Sequence, residues 1–115
     1  MITIYHNSRC KKSRAGLQYL SDLTKDFKIK EYLKDDAFTI ASLSETLNLL
    51  GKKPMEMIRK QEAIFKQEIK GKEFTDQELI KLMVENPKLI NRPIIVKNDQ
   101  AVWGDPAENI ENLFK

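Results

Sequence analysis

Residues 1–32 constrain the fold more than any other stretch, because they read as strand, helix, strand with a cysteine at the first junction. Ile2-Thr3-Ile4-Tyr5 is β-branched and aromatic, the composition of a buried strand. After Cys10, Leu17, Leu20 and Leu23 recur at three-residue steps and mark one face of a helix ending near Lys25. Phe27 to Tyr32 then alternates apolar and charged residues, as a second strand does. Strand, helix, strand at this length is a βαβ unit, which joins two parallel strands by a right-handed crossover.

The middle of the chain reads as helical. Leu43, Leu47 and Leu50 form one amphipathic face that stops at Gly51, a residue suited to a helix C-terminus. Pro54 opens a short segment, Met55 to Lys60, and Gln61 to Lys70 carries charges around Ile64, Phe65 and Ile69. Thr75-x-x-Glu78 is a capping box before Leu79, Leu82 and Met83, and Pro87 closes that helix. Strand character returns at Ile94 to Lys97. Asn98-Asp99-Gln100 reads as a hairpin turn and Ala101-Val102-Trp103 as its partner strand. Pro106 is placed for the first turn of a last helix with Ile110, Leu113 and Phe114 on its apolar face. The order β-α-β, helical block, β-β-α predicts an α/β mixed sheet with a helical insertion at residues 39–88. With 115 residues, one domain over 1–115 has a real core and two would not.

Composition narrows the function classes. Net charge is +3, but Lys and Glu alternate along most of the chain, which describes a solvated surface and not a nucleic-acid footprint. Apolar runs such as Ile94-Ile95-Val96 are far too short for a membrane span. Met1 leads almost directly into a strand, with no secretory h-region, and one cysteine rules out an internal disulfide. Both features fit a reducing compartment, so a cytoplasmic protein is expected. One cysteine and one histidine do not make a zinc site, and no metal is expected.

The chemistry gathers in His6-Asn7-Ser8-Arg9-Cys10-Lys11-Lys12-Ser13-Arg14. A cysteine between a strand and a helix faces the free N–H groups of the helix's first turn, where partial positive charge collects. Arg9, Lys11, Lys12 and Arg14 add cations nearby. Such settings lower a thiol pKa from about 8.5 to roughly 3.5–7.5. The same N–H groups form a cradle for an oxyanion. His6 is placed to donate to the thiolate or to a nearby backbone group. The opposing reading makes Cys10 a small apolar filler and His6 a structural hydrogen-bonder. Four basic residues within four positions of Cys10 weigh against an apolar pocket. Cys10-Lys11-Lys12-Ser13 keeps the attacking cysteine of a thioredoxin-type C-x-x-C and replaces the resolving one by Ser. An oxidised Cys10 therefore needs an external thiol, through a mixed disulfide.

Ile-Tyr-His-Asn-x-x-Cys-x-x-Ser-Arg, Ile4 to Arg14, resembles the opening of the ArsC-type arsenate reductase family. Ile58-Arg59-Lys60 and Asn91-Arg92-Pro93-Ile94-Ile95-Val96 look similar to two later stretches of that family, in the same order. The resemblance implies a thioredoxin-like sheet with an inserted helical subdomain, and makes Arg92-Pro93 the cis-proline turn beside the cysteine. It implies that Cys10 attacks arsenate, that His6 and Ser13 tune it, and that Arg59, Arg92 and Arg14 serve the oxyanion. It implies glutathione with glutaredoxin as external reductant and no bound cofactor; nothing in the sequence suggests an obligate interface, so a monomer is expected. One position departs: where the family has a further arginine before the proline of the last helix, this chain has Asp105. An anion there repels an anionic substrate if it faces the site, or else caps the last helix. Two other functions stay open on the same fold. One is an Spx-like regulator contacting RNA polymerase, whose usual C-x-x-C switch Ser13 removes. The other is a family member that binds glutathione or a partner without turnover.

Overall fold

The computed structural model describes residues 1–115, and the chain divides into two compact units, Met1–Asp36 with Arg92–Lys115, and Ala37–Asn91. The first unit holds a four-stranded mixed sheet. Strand β1 (Ile2–Tyr5), helix α1 (Lys11–Leu23) and strand β2 (Lys28–Lys30) come first, then β3 (Ile94–Lys97) and β4 (Gln100–Trp103). The order across the sheet is β2-β1-β3-β4. β1 runs parallel to β2, as a βαβ unit requires, and antiparallel to β3. β3 and β4 form an antiparallel hairpin.

β1 buries alternate residues: Ile2 and Ile4 are buried while Thr3 and Tyr5 are half-buried. The core beneath them contains Leu20 of α1, Ile95 of β3, and Ile110 and Leu113 near the C-terminus, with Leu17, Tyr19, Phe27 and Val102 packed against it. Each fully buried aliphatic side chain of this kind contributes about 1.5–3 kcal/mol. These residues therefore hold β1 and α1 in fixed register, and with them the loop between.

Several sequence expectations are corrected in detail. The buried face of α1 is Ser13, Gly16 and Leu20, while Leu23 is exposed. Each three-residue step falls about 60° short of a full turn, so the third leucine has rotated off the face that Leu17 and Leu20 share. The second strand spans three residues, not Phe27 to Tyr32. The chain turns at Glu31, whose carbonyl accepts from the N–H of Lys34 (2.9 Å) and Asp36 (3.4 Å) instead of continuing the ladder. At this sheet edge Ile29 is exposed although its partner Ile4 is fully buried. The hairpin turn is Asn98-Asp99 alone, since Gln100 already pairs with Lys97, and Asn98 supplies the positive φ of 55°.

The last helical segment, Ala107–Phe114, is 3-10 and not α, and Pro106 precedes it instead of lying in its first turn. Asn109 N–H bonds Pro106 C=O at 3.0 Å, the three-residue closure of such a helix, which places Ile110 and Leu113 one above the other. Tyr19 O–H ties α1 to this segment by donating to Glu111 at 2.6 Å.

The second unit is helical, with α2 (Ile40–Leu50) and α3 (Asp76–Glu85). α3 starts at the capping box read from Thr75 and Glu78. α2 starts at a second box in which Thr39 Oγ1 accepts from Ser42 N–H and Ser42 Oγ accepts from Thr39 N–H, and it ends at Gly51 with φ 67°. Between them lie a 3-10 turn, Pro54–Met57, and a π-helical turn, Phe65–Ile69. Ile58 and Ile90 meet in an isolated antiparallel bridge.

Candidate functional site

Cys10 occupies the N-cap of α1, with extended backbone angles (φ −96°, ψ 124°). The loop leading to it is fastened almost wholly by the first turn of that helix. Cys10 N–H donates to Asn7 C=O (3.0 Å), and Arg14 N–H donates to Cys10 C=O (2.9 Å). The Asn7 side chain accepts from Arg9 N–H (3.1 Å), a local turn of the kind Asn favours. Ser13 is fully buried, and its Oγ accepts from Asn7 N–H (3.0 Å) while bonding His6 Nδ1 (2.7 Å). Arg14 Nη1 reaches back to the Ser8 carbonyl at 3.1 Å.

His6 directly follows β1 and is 4% exposed, and its backbone N–H extends the parallel ladder to Lys30 C=O at 2.9 Å. Burial is the main influence on its ring and lowers its pKa. Arg14 adds to that effect, and Glu31 and the Ser13 hydrogen bond partly oppose it. The imidazole is therefore neutral near pH 7. Its ring partner is the Ser13 hydroxyl, in place of the thiolate or backbone group expected from sequence, and the contact brackets the loop.

The Cys10 thiol is half-buried, and burial, the largest single influence, pushes its pKa up. The Ser13 N–H, a hydrogen bond from Arg92, the Arg92 charge and the Lys12 N–H together outweigh it, so the net shift is downward. No conventional cap hydrogen bond closes on the side chain, yet the second and third amides of α1 face the sulfur as a helix N-terminus should. The cations near Cys10 in sequence are not the main electrostatic influence on it. Arg9, Lys11, Lys12 and Arg14 are all exposed, where water screens their charge. The acting cation is Arg92, only 8% exposed, delivered from far along the chain by the turn before β3.

That turn is the cis Arg92-Pro93 bond. Pro93 is buried between two glycines. A Cβ on Gly16 of α1 would lie 2.5 Å from Pro93 Cγ, and one on Gly104 would lie 3.0 Å from the same atom and 2.8 Å from Ile95 Cδ1. Gly104 N–H also donates to Pro93 C=O at 2.8 Å. Beyond Gly104 a second cis bond joins Asp105 to Pro106, and Asp105 Oδ2 pairs with Lys12 Nζ at 3.2 Å. The carboxylate is thus turned to the first turn of α1. It is not the cap of the last helix, whose N-cap position is Pro106. Arg59 belongs to the other unit, where its Nε–H bonds Glu62 at 3.2 Å.

The ArsC family model matches residues 5–113, from the end of β1 to the last buried residue of the C-terminal helix. The chain belongs to the ArsC family. An arsenate reductase of Neisseria meningitidis is 32% identical over 115 residues, covering 98% of this chain and 97% of its own. The uncharacterised protein YfgD of Escherichia coli K12 is 36% identical over 111 residues, covering 95% and 92%. The structure of an arsenate reductase from Vibrio cholerae superimposes with a TM-score of 0.88 at 34% identity, covering 96% of this chain and 95% of that one. The sheet is accordingly the thioredoxin-like sheet of ArsC proteins.

Within this ArsC chain the structure brings together Cys10, Ser13 and Arg92 directly, and His6 through Ser13. Arg14 braces the loop from outside. Residue reading passed over Asn7, Lys12 as a partner of Asp105, and the two glycines around Pro93. Gly16 carried a signal of its own: a glycine inside a helix costs about 1 kcal/mol relative to Ala, so its presence marks a close approach.

Proposed function

We propose that this chain is an arsenate reductase-type oxidoreductase in which Cys10 is the nucleophile and external thiols, glutathione with glutaredoxin, supply the electrons. The observation that carries the reading is the half-buried Cys10, held toward thiolate by Arg92 and the first amides of α1. The names of the relatives in Neisseria meningitidis and Vibrio cholerae support arsenate as the substrate.

In this mechanism the Arg92 guanidinium serves twice. Before substrate arrives it favours the thiolate, and with substrate present its forked donors hold oxyanion oxygens beside the sulfur. Cys10 Sγ attacks the arsenic, a sulfur–arsenic bond forms, and one arsenate oxygen leaves as water after protonation. Two external thiols then provide the electron pair and leave joined as a disulfide. Arsenic departs as trivalent arsenite and the Cys10 sulfur is regenerated. No second cysteine exists to resolve the adduct internally, so the external thiols are obligatory. His6 and Ser13 are positioning residues, holding the loop so that the Ser13 amide faces the sulfur. Arg59 takes no part in this proposal, which stands on the sheet-bearing unit alone.

The test is arsenate-dependent NADPH oxidation coupled through glutathione reductase, with glutathione and glutaredoxin, comparing wild type with Cys10→Ser. Turnover that the substitution abolishes is expected. Absence of turnover in the wild type, with an intact reactive thiol, would refute arsenate as substrate.

A further inference from the structure

The rim of the Cys10 loop is basic apart from one residue. Arg9, Lys11, Lys12 and Arg14 stand exposed around the sulfur's helix end, and Asp105 is the acid that reaches them, through Lys12. The pair is asymmetric: the Lys12 side chain is 66% exposed and that of Asp105 only 26%. Asp105 is fixed by its surroundings, because it follows Gly104, itself packed against Pro93, Ile95 and Ile110. Asn109 Nδ2 further bonds the carbonyls of Trp103 (3.1 Å) and Asp105 (3.5 Å). The carboxylate is the more buried partner, on a backbone fixed by these contacts, and Lys12 is the more exposed one.

We propose that Asp105 is a specificity-determining residue that occupies Lys12 and so lowers the positive potential at Cys10, fitting the site to singly charged oxyanions in preference to doubly charged ones. The proposal rests on the reading of Cys10 as a nucleophile toward an oxyanion. The Lys12 backbone N–H is one of the two that face the sulfur, so its side chain, once released, starts from the helix turn that holds the thiolate. One unit of charge gained or lost at the rim changes the rate for an anion by about two- to fivefold in a high-dielectric setting. A doubly charged anion feels that change twice over, which is where the selectivity arises.

A mere structural clip between α1 and the C-terminal segment predicts something different: its removal changes stability slightly and leaves the rates of anionic and neutral reagents in the same ratio. The alkylation of Cys10 by iodoacetate, an anion, against iodoacetamide, its neutral counterpart, separates the two. Asp105→Asn is expected to raise the iodoacetate-to-iodoacetamide rate ratio about two- to fivefold at low salt, with the rise fading as salt screens it. Lys12→Gln, a surface change that leaves packing alone, is expected to lower the ratio below wild type by uncovering the carboxylate. The double variant should return close to wild type. An unchanged ratio in Asp105→Asn, or in Lys12→Gln, would overturn the proposal. The ratio needs no arsenate, so a wild-type chain that fails to reduce arsenate refutes the functional reading while leaving this inference to its own result.

Discussion

Gly16 offers a test in which two effects of opposite sign meet at one atom. Replacing a glycine inside a helix by Ala ordinarily stabilises, by about 1 kcal/mol, because the unfolded chain loses freedom. Here the added Cβ would sit 2.5 Å from Pro93 Cγ, 3.5 Å from Pro93 Cδ and 3.4 Å from the Gly104 carbonyl oxygen. Carbon atoms settle at about 3.5–4.0 Å, so Pro93 or α1 must give way by about 1 Å. Pro93 has little room, since Gly104 closes the other side. Inserting a methyl group into such a contact costs about 1–3 kcal/mol and more where backbone must move. Crowding wins, and Gly16→Ala is expected to lower stability by about 1–2 kcal/mol, read as a lower urea midpoint with unchanged m-value. Arg92 precedes Pro93, so the same change should slow alkylation of Cys10 at pH 6. A variant as stable as wild type would mean that the proline turn yields freely, and that contact with Pro93 is not what requires a glycine.

Removing the guanidinium by Arg92→Gln should raise the Cys10 pKa, with about a tenfold loss of iodoacetamide reactivity at pH 6 for each unit of rise. An unchanged pH profile would leave the α1 amides as the sole cause. His6 has a folded pKa below 6.5. The unfolded chain thus binds the extra proton first, and stability is lost as pH falls from about 6.5 toward the folded value. Cys10, also depressed, loses its contribution as pH falls through its own folded pKa, so the comparison is best made in Cys10→Ser. In that background His6→Asn should flatten the difference between urea midpoints at pH 7 and pH 5, and an unaltered slope would refute a neutral buried imidazole. Thr39→Ala and Thr75→Ala each remove a side-chain acceptor at a helix start and should each cost about 1 kcal/mol in urea unfolding. Losses near zero would show that the rest of each first turn suffices.

The sheet-bearing half was legible where local pattern and tertiary demand agree. β1, α1 and the β3–β4 hairpin announce themselves because their burial repeats match their own geometry, as with Ile2 and Ile4 or the register Lys97 to Gln100. Ile29 and Leu23 were misread for a shared reason: an apolar residue at the right spacing is buried only if something covers it, and at the β2 edge nothing does enough. The π-turn at Phe65–Ile69 and the 3-10 run at Ala107–Phe114 have no distinct composition, since the choice among helix types is made by packing. At the site, Cys10 and its helix end followed from chain order alone. Arg92 beside it followed only from the family pattern, because no local property of a residue so distant in sequence reports that neighbour.

A count of charges along the sequence assigns the thiolate to four neighbouring cations, yet each of them faces water, where an ion pair at 4 Å is worth about 1 kcal/mol before salt screens it further. Arg92 is nearly buried and hydrogen-bonds the sulfur, a setting in which one guanidinium outweighs several solvated lysines. The exposed cations can then do what a buried one cannot: be released, paired or exchanged without unfolding the loop. Arg92 and the α1 amides favour the Cys10 thiolate. The rim pair of Lys12 and Asp105 is, on the proposal above, what selects among the anions that reach it. Asp105 is compatible with a reactive cysteine for that reason, since the carboxylate acts on the movable charges and leaves the buried one in place.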